Sequence, residues 1–183
     1  MPVSSLERAA LLALARDSVS RRLAGRAPPE VGTALAALDE PRAAFVTIRR
    51  RDTGDLRGCR GECPARRPLP ECVSRVAVSA ALDDPRFLPV TLAELPEVVF
   101  EISALTEPVT IRPEDVLVGR HGLILAAEGT VGLLLPQVPI EQGWDREAFL
   151  DGLCRKAGLP RGCWRLPGAS LRAFEAEVWS EDE

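Results

Sequence analysis

The residue types that chemistry needs are concentrated in one short segment, Leu56–Gly61, which reads LRGCRG. Cys59 stands there between Arg57-Gly58 and Arg60-Gly61. Glycines beside a thiol let the backbone turn sharply and let a ligand come close. Nearby guanidinium groups favour a thiolate, the form of cysteine that attacks electrophiles and binds metals. The segment predicts a reactive or ligand-binding thiol in a glycine-cornered loop, with Cys59 at the centre and Arg57, Gly58 and Gly61 around the ligand. The alternative is a buried cysteine at the end of a strand, whose glycines serve only a turn.

Other residues could join this centre. His121, the one histidine, lies in Gly119-Arg120-His121-Gly122; it reads either as a general acid/base, since an imidazole titrates near neutrality, or as a turn residue. Gln137, Glu141 and Trp144 follow an apolar run, which fits a pocket lining and fits an ordinary surface loop equally well. Arg42–Arg67 holds eight arginines against three acidic residues. They could form a basic rim that draws in small anions, or a solvated strand edge that discourages aggregation. A lone arginine counts for little here, because only Lys156 among the 23 basic residues is a lysine. Cys59, Cys63 and Cys72 are spaced C-x3-C-x8-C, which matches no common zinc or iron–sulfur pattern, so no metal site is expected. Cys72 and Cys154 sit on apolar helical faces and read as small core residues.

These residues must be held by elements that the hydrophobic spacing predicts. Ser4 and Glu7 form a capping box ahead of Leu6, Ala9, Leu12, Ala15, Val19 and Leu23, a helical face that stops at Gly25. Ala27–Pro29 is a loop and Thr33–Leu38 a short helical turn. Ala43–Arg49 reads as a strand, and the polar run Arg50–Asp55 as a turn. Val73, Val76, Ala77, Ala80 and Ala81 share a helical face that ends near Asp83-Asp84-Pro85, because the residue before a proline is pushed out of the helical region. Val98–Leu105 is a further strand. Gly122–Ala127 and Thr130–Leu135 form a hairpin across Glu128-Gly129, which Pro136 ends. Asp145 caps a helix with Phe149, Leu150, Leu153, Cys154 and Ala157 on its apolar face and Gly158 at its end. Leu171–Trp179 alternates as one half-buried strand, and Ser180–Glu183 is an acidic, frayed tail. Three helices among five or six strands predict an α+β fold, an antiparallel sheet with helices on one face. If the chain forms two lobes, the Pro-rich stretches Pro64–Pro70 and Pro85–Pro96 are where it would cross between them.

The 183 residues are 46% hydrophobic and 27% charged, enough to bury a core. A net charge of -4 argues against a dedicated nucleic-acid binder. No segment approaches the roughly 20 apolar residues of a membrane span. Glu7, Arg8, Arg16 and Asp17 interrupt what would be a secretory leader. A soluble, cytoplasmic chain whose five cysteines are reduced thiols is expected.

LRGCRG, DDPRFLPV, EISALTEP, GRHGL, GLLLPQVPIEQGWD and FLDGLCRKAGL occur in this order, and together they resemble the AMMECR domain family over residues 6–179. The resemblance implies an α+β architecture of two interlocked subdomains with antiparallel sheets and flanking helices. It also implies that both chain ends form the larger lobe, and that a cleft lies near the LRGC segment. The family's LRGCIG-type motif matches at Leu56, Arg57, Gly58, Cys59 and Gly61. Arg60 replaces its usual apolar residue and adds a positive charge beside the thiol. The resemblance further implies a role as the A component of the bacterial AmmeMemoRadiSam set, with Memo-like and radical-SAM proteins as partners. It implies no particular reaction or cofactor.

Three functions follow. In the first, an enzyme uses a Cys59 thiolate on a small, anionic substrate, with Arg57 as stabiliser, His121 or Glu141 moving protons, and Gln137 and Trp144 shaping the pocket. In the second, a binding or adaptor module recognises a small-molecule ligand or partner through the LRGC backbone and arginine. The third and weakest is thiol-mediated delivery of a metal.

Overall fold

The pairing of LRGCRG with the apolar strand before it sets the fold of the first part of the chain. A computed structural model describes residues 2–182, which divide into two compact units. The first runs to Leu105 and takes in the chain again from Glu177; the second is Thr106–Ala176.

In the first unit, strand β1 (Ala44–Arg50) turns back into β2 (Leu56–Glu62). With β3 (Val98–Leu105) and β8 (Ala176–Ser180) they make a sheet of order β2-β1-β3-β8, so β2 is an edge strand. Ala44, Val46 and Ile48 stand opposite Ala104, Ile102 and Phe100, and all six are fully buried. They share a core with Leu11, Ala15 and Val19 of helix α1 (Ser5–Leu23) and Val73, Ala77 and Ala80 of α2 (Leu69–Leu82). A slip of one residue would turn Phe45, Thr47 and Arg49 into that core, so alternation fixes the register. The capping box of α1 is present: the Glu7 N–H donates to the Ser4 hydroxyl and the Ser4 N–H to the Glu7 carboxylate.

In the second unit, β4 (Val109–Thr110), β5 (Gly122–Ala127), β6 (Thr130–Leu134) and β7 (Ser170–Phe174) form a sheet of order β4-β7-β5-β6. Glu128 and Gly129 both take positive φ, 50° and 76°, as the tightest hairpin turns require. Helix α4 (Arg146–Lys156) is capped by Asp145, which accepts the Ala148 N–H, and packs Phe149, Leu150 and Leu153 with Leu123, Leu125 and Ala173. The expected α+β class with antiparallel sheets is the observed one. Among the described residues no helix is long and apolar enough to cross a membrane.

Several expectations are corrected. LRGCRG is not a loop but a strand, made so by its pairing with β1. Leu171–Trp179 is not one strand: β7 pairs with β4 and β5 in the second sheet, whereas β8 lies beside β3 in the first. The break falls at Glu175, whose N–H donates to the Thr106 hydroxyl and whose carbonyl accepts the Thr106 N–H. The chain passes between units at Leu105–Thr106 and Ala176–Glu177, so both Pro-rich stretches lie within the first unit. The acidic tail is not frayed over its described part. Glu181 is gripped by Nε and Nη2 of Arg16 at 2.6 Å each and accepts the Phe100 N–H, and Asp182 pairs with Arg51; Glu183 lies outside the described residues. The stretch after β6 is a short helix, α3 (Gln137–Glu141), not a loop. The five cysteines are not all thiols: Cys154, at the end of α4, forms a disulfide with Cys163. Their Cα atoms stand 5.9 Å apart, within the span a disulfide bridges.

Candidate functional site

Cys59 lies opposite Thr47 of β1, which in turn lies opposite Glu101 of β3. One row along, Gly61, Phe45 and Ser103 stand opposite one another on the same face, because residues paired across strands and residues two apart along a strand share a face. This face is turned away from the α1–α2 core and carries a thiol, two hydroxyls, a carboxylate and, two residues along β1 from Thr47, the Arg49 guanidinium. The half-buried Cys59 sulfur accepts the Thr47 hydroxyl at 3.5 Å. Thr47 and Ser103 are both buried, Ser103 to 1% exposure, and among the described residues the Ser103 Oγ has no hydrogen-bond partner. An orphaned buried hydroxyl in a native fold calls for an explanation, such as a ligand or a water.

The outer edge of β2 is closed at Cys59 by the loop after α2. The Cys59 N–H points away from β1 and donates to Asp84 Oδ2 at 2.8 Å. Asp84 is only 4% exposed. It also accepts the Arg86 backbone N–H and, side-on, Nε and Nη2 of the Arg86 guanidinium at 2.9 and 2.7 Å. Hydrogen bonds from Arg86, aided by the Cys59 N–H and Arg86 backbone N–H, outweigh burial and hold the Asp84 carboxyl well below the usual carboxylate range. Sequence reasoning singled out neither Asp84 nor Arg86 nor Ser103. The Asp-Asp-Pro stop after α2 reads as a helix terminus, and the resemblance carried by DDPRFLPV and EISALTEP spans all three residues without giving any of them a role.

The residues expected to surround a ligand have other partners. Arg57 is the extra residue of a β-bulge between the pairs Ile48–Gly58 and Arg49–Leu56, and bulges re-aim side chains. It is 7% exposed, paired with Glu94 and donating to the Leu88 and Pro89 carbonyls. It therefore ties down the loop between α2 and β3. The hydrogen bond from Arg57, with lesser help from Thr91, lowers the Glu94 carboxyl despite burial. A Cβ on Gly58 would collide with the carbonyl oxygen of Ala80 in α2, and one on Gly61 with the Phe45 ring. The two glycines thus admit a helix backbone and an aromatic ring. Arg60 is exposed.

The other candidates belong to the second unit. His121 Nδ1 accepts the Leu117 N–H at 3.1 Å while the His121 N–H donates back to the Leu117 carbonyl, closing a turn ahead of β5. Gln137 opens α3, and its Oε1 is buried without a partner. Glu141 is exposed at the end of that helix. Trp144 packs over Gly152 and under the Arg155 guanidinium, 5.3 Å from the ring centre. Among the described residues no group of three or more His, Cys, Asp or Glu side chains is arranged to hold a metal. Cys72 is buried, and desolvation, with help from Glu62, pushes its thiol up to about 11.

A family model described as AMMECR1 matches residues 12–179. A protein of Methanocaldococcus jannaschii is 41% identical over 181 residues, covering 92% of this chain and 87% of the relative. One of Thermococcus onnurineus is 45% identical over 164 residues, covering 85% and 79%. The crystal structure of an uncharacterized protein from Pyrococcus horikoshii superposes with a TM-score of 0.89 at 40% identity, covering 94% of this chain and 90% of that one.

Proposed function

The chain belongs to the AMMECR1 family, and we propose that the sheet face around Cys59 is a small-molecule recognition site in which the sulfur touches the ligand. The observation that carries this reading is the orphaned Ser103 hydroxyl. An unsatisfied buried polar group costs about 1–3 kcal/mol, and here it lies on the same face as the Thr47–Cys59 pair. Ser103 stands two strands across and one row along from Cys59, so a polar ligand that crosses the two strand spacings, roughly 10 Å, would satisfy Ser103 and meet the half-buried sulfur.

Recognition is favoured over nucleophilic catalysis by where the protons are. Asp84, next to the Cys59 backbone, accepts four hydrogen bonds and stays ionised far below neutrality, so it is no general base. The Thr47 hydroxyl is within hydrogen-bond reach of the sulfur at 3.5 Å, and while it is engaged there it does not carry a proton to Glu101. A catalytic reading has one observation of its own, the cross-strand row Cys59–Thr47–Glu101. If the Thr47 hydroxyl turned toward Glu101, it could relay the thiol proton to that carboxylate.

A thermal-shift screen of soluble metabolites against wild type, Ser103→Ala and Cys59-alkylated protein tests the proposal. A ligand is expected that binds wild type, binds Ser103→Ala about fivefold more weakly for the lost hydrogen bond of roughly 1 kcal/mol, and fails on the alkylated protein. Turnover that requires both Cys59 and Glu101 would transfer the assignment to catalysis. Ligands indifferent to both changes would remove the site from this face.

A further inference from the structure

The arginines near Cys59 differ in what they have left to offer. Arg57 is buried and committed to Glu94 and two carbonyls, and Arg49, on the sulfur's own face two residues along β1 from Thr47, reaches away to the Gly54 carbonyl. Arg42 reaches Glu177 and the Leu105 carbonyl, and Arg67 reaches Glu62 and Glu71. Arg60 is exposed but sits opposite Val46, on the other face of the sheet from the sulfur. Arg86 is unlike all of these. Its side-on edge, Nε and Nη2, is fixed on a carboxylate with 3% exposure, while the guanidinium itself remains 55% exposed. The end-on edge, formed by Nη1 and the outer N–H of Nη2, makes no hydrogen bond to the described residues. The carboxylate that orients it is the one that accepts the Cys59 N–H.

We propose that Arg86, held in place by Asp84, is the anion-binding residue of the Cys59 site, and that the ligand carries a carboxylate or phosphate group beside the part that meets the sulfur. This rests on the reading of the Cys59 face as a binding site and adds its chemical class. A guanidinium presents a planar fork of donors that matches either anion with two parallel hydrogen bonds. Fixing the fork beforehand removes the ordering cost that a free surface arginine incurs when it binds. Asp84 balances the Arg86 charge, so what the free edge offers an anion is its outward N–H donors, turned away from the carboxylate. The unpartnered Ser103 hydroxyl on the sulfur's face gives the uncharged part of such a ligand a polar contact.

Paired alkylating agents test this on the intact protein. Iodoacetate and iodoacetamide differ in charge and little in size, and peptide mass spectrometry reads the labelling rate of Cys59 alone. In wild type the rate ratio of iodoacetate to iodoacetamide at Cys59 is expected to exceed that in Arg86→Gln by about three- to tenfold, because removing the guanidinium takes away the donors and leaves the Asp84 carboxylate unbalanced beside Cys59. Inorganic phosphate should depress the iodoacetate rate selectively. Arg86→Gln should bring the ratio to the free-thiol value or below it, since Asp84 then stands unpaired, Arg86→Lys should keep part of the wild-type ratio, and Arg60→Gln should leave most of it. The ratio is internal to each protein, so a variant that loses stability without unfolding still reports. If Cys59 reacts with both reagents but the ratio is the same in wild type and Arg86→Gln, the anion assignment is overturned and the recognition site stands. If Cys59 in native protein reacts with neither reagent, the site is closed and both proposals fall.

Discussion

Asp84→Asn separates the carboxylate's role in the site from that of its neighbours. Asp84 accepts four hydrogen bonds, two on each oxygen: the Cys59 N–H and Arg86 Nη2 on Oδ2, and the Arg86 N–H and Nε on Oδ1. An asparagine has one acceptor oxygen and one donor nitrogen, so whichever way it turns, two donors meet an N–H group. If the amide nitrogen takes the Oδ2 position, the Cys59 N–H is left unsatisfied at a cost of about 1–3 kcal/mol. The part of the loss that falls on Arg86 is smaller, at most about 1 kcal/mol, because its exposed guanidinium can turn to water. The sum is a destabilisation of about 1–4 kcal/mol, which for a chain of this length lowers Tm by roughly 2–16 °C. Hydrogen exchange at the Cys59 amide should accelerate with it, since this amide faces the outer edge of the sheet. The pH dependence has a definite sign. A carboxyl whose folded value lies below its ordinary 3.8 contributes stability that is present above that ordinary value and is lost as pH falls below it. Wild type should therefore lose its advantage over Asp84→Asn as pH drops below about 4. Equal Tm values at pH 7, with unchanged exchange at Cys59, would refute the assignment of Asp84 as the group that holds this edge.

Gly58→Ala should destabilise by about 3 kcal/mol or more, because the added methyl meets the backbone carbonyl of Ala80 and neither strand nor helix can give way without losing core contacts; urea unfolding reads it, and a near-neutral result would mean that β2 and α2 are not in close contact. Arg57→Lys should cost about 2–4 kcal/mol, since a lysine cannot reproduce the fork that spans Glu94 and two carbonyls, whereas Arg60→Ala should stay within about 0.5 kcal/mol. Reducing Cys154–Cys163, which closes a loop with a sequence separation of 9, should remove about 2.5 kcal/mol, measured by calorimetry with and without dithiothreitol. Ser103→Ala should leave the stability of the free protein unchanged or raise it by up to about 1 kcal/mol, because it deletes a buried hydroxyl that bonds nothing.

The elements with strong periodicity were legible from sequence alone. The Ser4–Glu7 box, the α2 face ending before Pro85 and the Glu128-Gly129 hairpin each rest on local chemistry that tertiary structure had no reason to override. LRGCRG was misread because its stability as a strand is not local. Two glycines and two arginines carry little strand propensity, and only the neighbouring β1, the Ala80 backbone and the Phe45 ring make the segment extended. Leu171–Trp179 alternates without interruption, and nothing in alternation reports a change of sheet at Glu175. Cys59 could be picked out by residue type. Its surroundings could not, because Thr47, Asp84, Arg86 and Ser103 come from two other strands and a loop up to 44 residues away. Arg57, the more conspicuous arginine in the sequence, proved to be internal, and Arg86, hidden in a proline stop, is the exposed one.

The central claim, that the Cys59 face binds a small molecule, is tested most directly by protection. Iodoacetamide labelling of Cys59 is followed by peptide mass spectrometry on the wild-type protein, with and without the low-mass fraction of a cell extract. The account predicts that the fraction slows Cys59 labelling, by about tenfold once the ligand stands ten times above its Kd, and that the protection weakens in Ser103→Ala. Labelling of Cys59 at the same rate with and without a concentrated extract would contradict it.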